Sequence, residues 1–263
     1  MSVRAVLFDL DDTLVAQDSA DDQALVAACA LLPSDHADAA AALPAAVRRH
    51  ARALWEAGPA AAYCRAIGIS ALEGMWARFD TPLPQIAALA SWAPTYRLAA
   101  WRQALDACGL ADVILPGQLL AAFQQTRRRL HLLFPETLAT LDALRPLYQL
   151  GLVTNGAPDL QRAKIGGSGL GEWFEVMLVS GEFGIGKPDP RIFAAALERL
   201  RLGPNQVVMV GNSLDHDIMG AHAAGIGSVW VNRAGEIALA GSAPDATITS
   251  LSELPTLLAD WPS

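Results

Sequence analysis

From about residue 134 onward the chain alternates apolar, strand-like runs with helix-patterned segments, and nothing else in it limits the possible folds so strongly. The pattern predicts helix Pro135–Leu147, strand Leu150–Thr154, helix Pro158–Ile165, strand Val176–Val179 and helix Pro190–Leu200. Strand Val207–Val210, helix Asp217–Ala224 and strand Ser228–Val231 follow, and a strand near Ala246–Thr249 and helix Leu251–Ala259 close the chain. Strands separated by helices pair in parallel through right-handed crossovers.

The opening run Val6-Leu7-Phe8 is equally apolar and is expected in the same sheet, although residues 16–131 intervene. That long segment has no β pattern. It is Ala- and Leu-rich, broken at Leu32-Pro33-Ser34, Ala57-Gly58-Pro59, Thr81-Pro82, Ala93-Pro94-Thr95 and Cys108-Gly109. Between the breaks apolar residues recur at helical spacing, as in Leu98, Trp101, Leu105 and Cys108. Five to seven helices are expected there, with Trp55, Trp76, Trp92 and Trp101 as core residues. The fold class is therefore α/β: a Rossmann-like parallel sheet core with helices on both faces (1–15 and 132–263), plus an inserted all-α helical domain (16–131).

Composition bounds the function. The chain has 263 residues, 52% of them hydrophobic and 17% charged, so it can bury a sizeable core. Nineteen basic against 27 acidic residues leave a charge of −8, which disfavours a nucleic-acid or anionic-membrane surface. No signal peptide is expected, no run of ~18 apolar residues occurs, and Cys29, Cys64 and Cys108 form no CxxC pair. A cytoplasmic protein with reduced thiols is expected, as a monomer or homodimer. Lysine is scarce: only Lys164 and Lys187 occur.

The first strand runs into Asp9-Leu10-Asp11-Asp12-Thr13. Residues two apart on a strand point to the same side, so Asp9 and Asp11 can reach one small space. Two close carboxylates repel unless a cation lies between them or one holds a proton. Taken alone, the pair reads equally as an Asp-rich turn or as a site. Further polar fragments sit at predicted strand ends and loops: Thr154-Asn155-Gly156, Gly186-Lys187-Pro188 and Gly211-Asn212-Ser213 followed by Asp215 and Asp217. Ligands of open parallel sheets sit beyond the strands' carboxyl ends. Acids for a metal, with a hydroxyl and an ammonium for a phosphate, fit phosphoryl transfer.

In order and spacing these fragments resemble the four motifs of the haloacid dehalogenase-like hydrolase superfamily, and the helical insertion resembles its C1 cap. The resemblance implies Asp9 as nucleophile forming an aspartyl-phosphate and Asp11 as general acid, then base. It implies Thr154, Asn155 and Lys187 as phosphate-binding residues, and a Mg²⁺ site from Asp9, the Asp11 backbone carbonyl and the fourth-motif loop with Asn212 and Asp217. Members acting as phosphatases usually begin that fourth motif with Gly-Asp; here it is Gly211-Asn212, which removes one negative charge.

A Mg²⁺-dependent phosphatase acting on a small phosphorylated metabolite is the expected function. A 2-haloacid dehalogenase typically lacks the second acid, so Asp11 opposes it while Asn212 favours it. A phosphonate-cleaving relative needs a cap lysine, and residues 16–131 contain none. A sugar-phosphate mutase shares the first motif but usually has a smaller cap, and a non-catalytic binding protein has only Asn212 in its favour. Within the cap, Arg48, Arg49, His50 and Arg52, and the Arg127–Arg129 run with His131, form charged runs of the kind that usually face solvent. They are also where an anionic substrate could be met. His222 is expected in packing or at the surface, and Asp12 in the turn.

Overall fold

The computed structural model describes residues 2–111, 113–237 and 243–262. Strand β1 (Ala5–Phe8) is followed by α1 (Gln17–Cys29), α2 (Ala37–Glu56), α3 (Ala61–Ile67), α4 (Ala71–Trp76), α5 (Pro84–Ala107) and α6 (Pro116–Arg127). Then come α7 (Thr137–Leu144), β2 (Gln149–Thr154), α8 (Pro158–Gly167), β3 (Val176–Val179), the short α9 (Ser180–Phe183), α10 (Pro190–Leu200) and β4 (Val207–Gly211). A π-turn at Leu214–Ile218 leads into α11 (Met219–Ala224), and β5 (Gly227–Val231), β6 (Ala246–Ile248) and α12 (Leu254–Ala259) complete the described elements.

The six strands form one sheet in the order β3-β2-β1-β4-β5-β6, with every neighbouring pair parallel. β1 is central, with Phe8 aligned with Leu152 on one side and Val210 on the other. The chain winds outward in one direction through β2 and β3, and in the other through β4 to β6. The strand order thus switches beside β1, and the crevice beyond β1 and β4 is where such sheets place a ligand.

Strand alternation explains the two cores. Val6 and Phe8 pack on one face with Leu141 and Leu144 of α7 and Leu254 and Leu258 of α12. Ala5 and Leu7 pack on the other face with Ile192, Phe193 and Ala196 of α10 and Ala221 of α11. All four β1 residues have zero exposure, as a strand covered on both faces requires. Gly151 in β2 leaves room for Leu7: a Cβ there would lie 2.6 Å from its Cδ2.

The chain divides into two compact units, one of residues 1–16, 133–156 and 164–263, the other of 17–132 and 157–163. Residues 17–132 contain six α-helices among the described residues, within the expected five to seven. The helical core holds Trp55, Trp76 and Trp101, and Trp55, Trp92 and Tyr96 cluster with ring centroids 4.9–5.5 Å apart. Residues 157–163 were expected with the sheet. They group with the helices because Ala157 and Leu160 belong to the helical core. No helix among the described residues is long and apolar enough to cross a membrane.

Candidate active site

β1 ends at Phe8, and the next residue projects a carboxylate at the sheet's carboxyl edge. Asp9 is 7% exposed, and its N–H donates to the Val210 carbonyl, which ties it to β4. Its Oδ1 lies 2.5 Å from the Lys187 ammonium, and its Oδ2 accepts from the Thr13 hydroxyl at 3.2 Å. The same hydroxyl lies 3.3 Å from Asn212 Oδ1, so residues at the ends of β1 and β4 converge on one point.

Lys187 also reaches Asp217 Oδ1 at 2.6 Å. A compact ammonium shared by two carboxylates is a task for lysine rather than for a forked guanidinium. Burial alone would push the lysine down, but Asp217 and Asp9 outweigh it and hold its pKa above the ordinary value. Burial pushes the Asp9 carboxyl up, to about 7; Lys187 opposes this, while Asp217 and Asp11 add to it.

Two glycines make this geometry possible. A Cβ on Gly211 would lie 2.2 Å from Asp217 Oδ2, and one on Gly186 would lie 2.5 Å from Asn155 Oδ1. The loop carrying Lys187 is clamped by Asn155, whose Nδ2 donates to the Lys187 carbonyl at 2.9 Å and whose Oδ1 accepts from the Lys187 N–H at 2.8 Å. Helix α10 follows at once, with Asp189 as its N-cap and Pro190 in its first turn. Thr154 is fully buried at the end of β2, and the turn after it is fixed by the Gly156 N–H bond to Ser180 Oγ at 2.9 Å.

Asp9, Thr13, Lys187, Asn212 and Asp217 are thus joined by direct contacts. Asn155, expected among the phosphate-binding residues, has its side-chain amide engaged with the Lys187 backbone as a brace. Asp217, expected among the metal ligands, turns Oδ1 to Lys187 while Oδ2 accepts from the Ser213 N–H at 3.0 Å.

One residue was missed. Lys164, on α8, places its Nζ 2.8 and 2.9 Å from the two oxygens of Asp11. The signal lay in the composition: in a chain that otherwise uses arginine, both lysines sit on the two candidate carboxylates.

The charged runs resolve differently from one another. Arg127 is 2% exposed, paired with Asp21 and stacked 4.4 Å over Trp76, so it is structural rather than solvated. Arg48 pairs with Asp22 at 2.5 Å, and His50 contacts Gln103 at 3.2 Å. His222, expected in packing or at the surface, is exposed and contacts Ser228 at 3.0 Å. Asp12 sits in a turn with φ 56°, its N–H bonded to the Val15 carbonyl.

Among the described residues no three His, Cys, Asp or Glu side chains cluster as a metal cage. The donors that do converge, Asp9 Oδ2 and Asn212 Oδ1, are both oxygens. A small, all-oxygen, incomplete set fits a hard cation that keeps several waters, as Mg²⁺ does.

Residues 3–225 match the haloacid dehalogenase-like hydrolase family. The chain is 40% identical over 254 residues to the phosphoserine phosphatase of Thermus thermophilus, covering 96% of this chain and 98% of that protein. It is 30% identical to the structure of a 2-haloacid dehalogenase from Pseudomonas syringae, with a TM-score of 0.57 over 99% of this chain and 100% of that one. The HAD-hydrolase YfnB of Bacillus subtilis, solved bound to magnesium, shares the fold at 21% identity and a TM-score of 0.68, covering 98% of this chain and 99% of that one. The chain belongs to the haloacid dehalogenase-like hydrolase family.

Proposed function

We propose that this hydrolase is a Mg²⁺-dependent phosphatase acting on a small phosphorylated metabolite, with the helical unit serving as its cap. The observation that carries the reading is the pair of aspartates: Asp9, at the tip of the central strand, has Lys187 on one oxygen, and a second carboxylate follows two residues later. The 40%-identical relative is a phosphatase, which supports the same reaction class.

In this reading Asp9 attacks phosphorus and forms an aspartyl-phosphate while the P–O bond to the substrate breaks. Asp11 gives its proton to the departing oxygen, then takes one from the water that attacks phosphorus and restores Asp9. Lys187 favours the ionised form of Asp9 by opposing the effect of burial and, with Thr154 and the backbone N–H groups after β2, holds phosphoryl oxygens. Asp9, Asn212 and the Asp11 carbonyl would hold Mg²⁺, which supplies positive charge for the phosphoryl oxygens when bound. Asp217 serves the site by holding Lys187.

The test is hydrolysis of p-nitrophenyl phosphate with and without EDTA, in the wild type and in Asp9→Asn. Activity lost on chelation, restored by Mg²⁺ and abolished by the substitution supports the proposal. A panel of phosphorylated metabolites that includes phosphoserine then names the substrate. The second reading, a 2-haloacid dehalogenase, is favoured by Asn212 and by the 30%-identical structure. Chloride release from 2-chloropropionate without a metal requirement would establish it and defeat the first.

A further inference from the structure

Of the two lysines in the chain, Lys187 is accounted for by Asp9 and Asp217; Lys164 remains. It stands on α8, 153 residues from Asp11 in sequence, with its side chain 3% exposed. Its ammonium meets both Asp11 oxygens, at 2.8 and 2.9 Å, while the Asp11 side chain is itself 18% exposed.

Stability is a poor reason for such a contact. Ordering a lysine forfeits rotamer freedom, and a desolvated ion pair is often no better than apolar packing. What a two-point contact does supply is direction. One hydrogen bond lets a carboxylate swing about it, whereas a cation held by both oxygens fixes its position and limits its rotation. Proton transfer needs that: the acid must lie within hydrogen-bond reach of the departing oxygen, with placement good to about 0.5 Å.

We propose that Lys164 is a positioning residue of the reaction, holding the Asp11 carboxylate in the pose from which it serves the leaving group and then the water. The proposal rests on the phosphatase reading, in which Asp11 is the acid and base. The two lysines then divide the site, Lys187 holding the nucleophile and Lys164 holding the proton-transfer group.

A residue that acts through Asp11 has consequences that a merely structural residue lacks. The comparison uses full-length wild type, Lys164→Met, Asp11→Asn and the double variant, with rates normalised to the folded fraction. Each is assayed with an alkyl phosphate and with 2,4-dinitrophenyl phosphate, whose leaving group departs without a proton. Lys164→Met is expected to lower kcat/KM for the alkyl phosphate about 10- to 100-fold, part of the 10²–10⁴ that general acid catalysis supplies. The loss for the dinitrophenyl ester is expected to be under about 3-fold, as the leaving group needs no acid. In the Asp11→Asn background, adding Lys164→Met should cost less than about 2-fold, because residues acting as a unit are not additive. Lys164→Arg, whose fork can also meet both oxygens, should recover part of the alkyl rate.

Equal losses with both leaving groups, or the same loss with and without Asp11, would overturn the proposal, as would an unchanged rate in Lys164→Met. If Lys164→Met does not fold, Lys164→Arg carries the same comparison. If neither folds, the lysine is structural and the proposal fails. A wild type that hydrolyses neither ester refutes the phosphatase reading itself, and the proposal with it.

Discussion

Replacing Gly211 by alanine adds one methyl group, and the geometry makes that methyl costly. The new Cβ would sit 2.2 Å from Asp217 Oδ2, 2.3 Å from its Cγ and 2.6 Å from its Cβ. No rotation of the carboxylate alone clears all three atoms, so Asp217 must leave. It then gives up the bond from the Ser213 N–H at 3.0 Å and the ion pair with Lys187 at 2.6 Å. Each hydrogen bond to a charged group is worth about 1.5–3 kcal/mol, and breaking a buried pair on one side costs about 3–5 kcal/mol. Lys187 keeps Asp9, so the full sum is not reached and a loss of about 3–5 kcal/mol is expected. Against a total stability of about 5–15 kcal/mol, urea denaturation would resolve this as a lowered midpoint at constant slope. Phosphatase turnover should fall as well, because Lys187 loses one of its two anchors. Pairing the change with Asp217→Gly removes the clash at its source, so the double variant should be more stable than the two single losses added together. A Gly211→Ala protein within about 1 kcal/mol of wild type and with normal turnover would mean that Asp217 keeps its contacts, since a loss that small lies below the cost of one such bond.

Other substitutions probe neighbouring contacts. Asn155→Ala removes both bonds that brace the Lys187 backbone and should cost about 1–3 kcal/mol in denaturation, with inhibition by inorganic phosphate changed less than turnover; a loss confined to phosphate affinity would return Asn155 to direct binding. Gly74→Ala would drive a Cβ to 2.4 Å from the Trp55 ring and should cost about 1–3 kcal/mol by overpacking. By contrast, a Cβ on Gly109 (φ 68°) meets nothing within 4 Å, so Gly109→Ala should cost only about 1 kcal/mol of backbone strain. Glu136 provides a pH test: burial raises its carboxyl, but the Arg233 hydrogen bond at 2.6 Å and further bonds bring it below the usual range. Its stabilisation is therefore present above the unfolded value and lost as pH falls through the lowered folded one. The stability gap between wild type and Glu136→Gln should accordingly close in acid; a gap that widened there would contradict this sign.

The sheet was legible because parallel strands buried on both faces must be nearly continuous apolar runs, as Val6-Leu7-Phe8 and Val207–Val210 are. The site's outline was legible for a related reason: a strand that ends in a polar residue in such a sheet delivers that residue to the carboxyl edge, and Asp9, Thr154 and Asn212 all obey this. Side-chain partners were not. Nothing local distinguishes an Asn155 that faces a ligand from one that turns to clamp Lys187, or an Asp217 on a metal from one on an ammonium. Those choices are made by residues 30 and 32 positions away. Lys164 was harder still, since a lysine near the end of a helix is ordinarily surface charge, and its partner lies 153 residues upstream. Arg127 misleads in the opposite sense: within a run of three arginines it looks solvated, yet Asp21, 106 residues away, pairs with it in the helical core. The grouping of residues 157–163 with the helices likewise follows from packing by Ala157 and Leu160, which helical periodicity alone does not assign.

Transfer of the phosphoryl group onto the Asp9 carboxylate can be caught by acid-quenching turnover and reducing with borohydride. An acyl phosphate is reduced where a free carboxylate is not, so peptide mass spectrometry should find homoserine at position 9 in enzyme quenched with substrate and Mg²⁺, and aspartate in enzyme quenched without substrate. Sustained phosphate release with position 9 unmodified, or an Asp9→Asn variant that still turns over, would exclude Asp9 as the nucleophile.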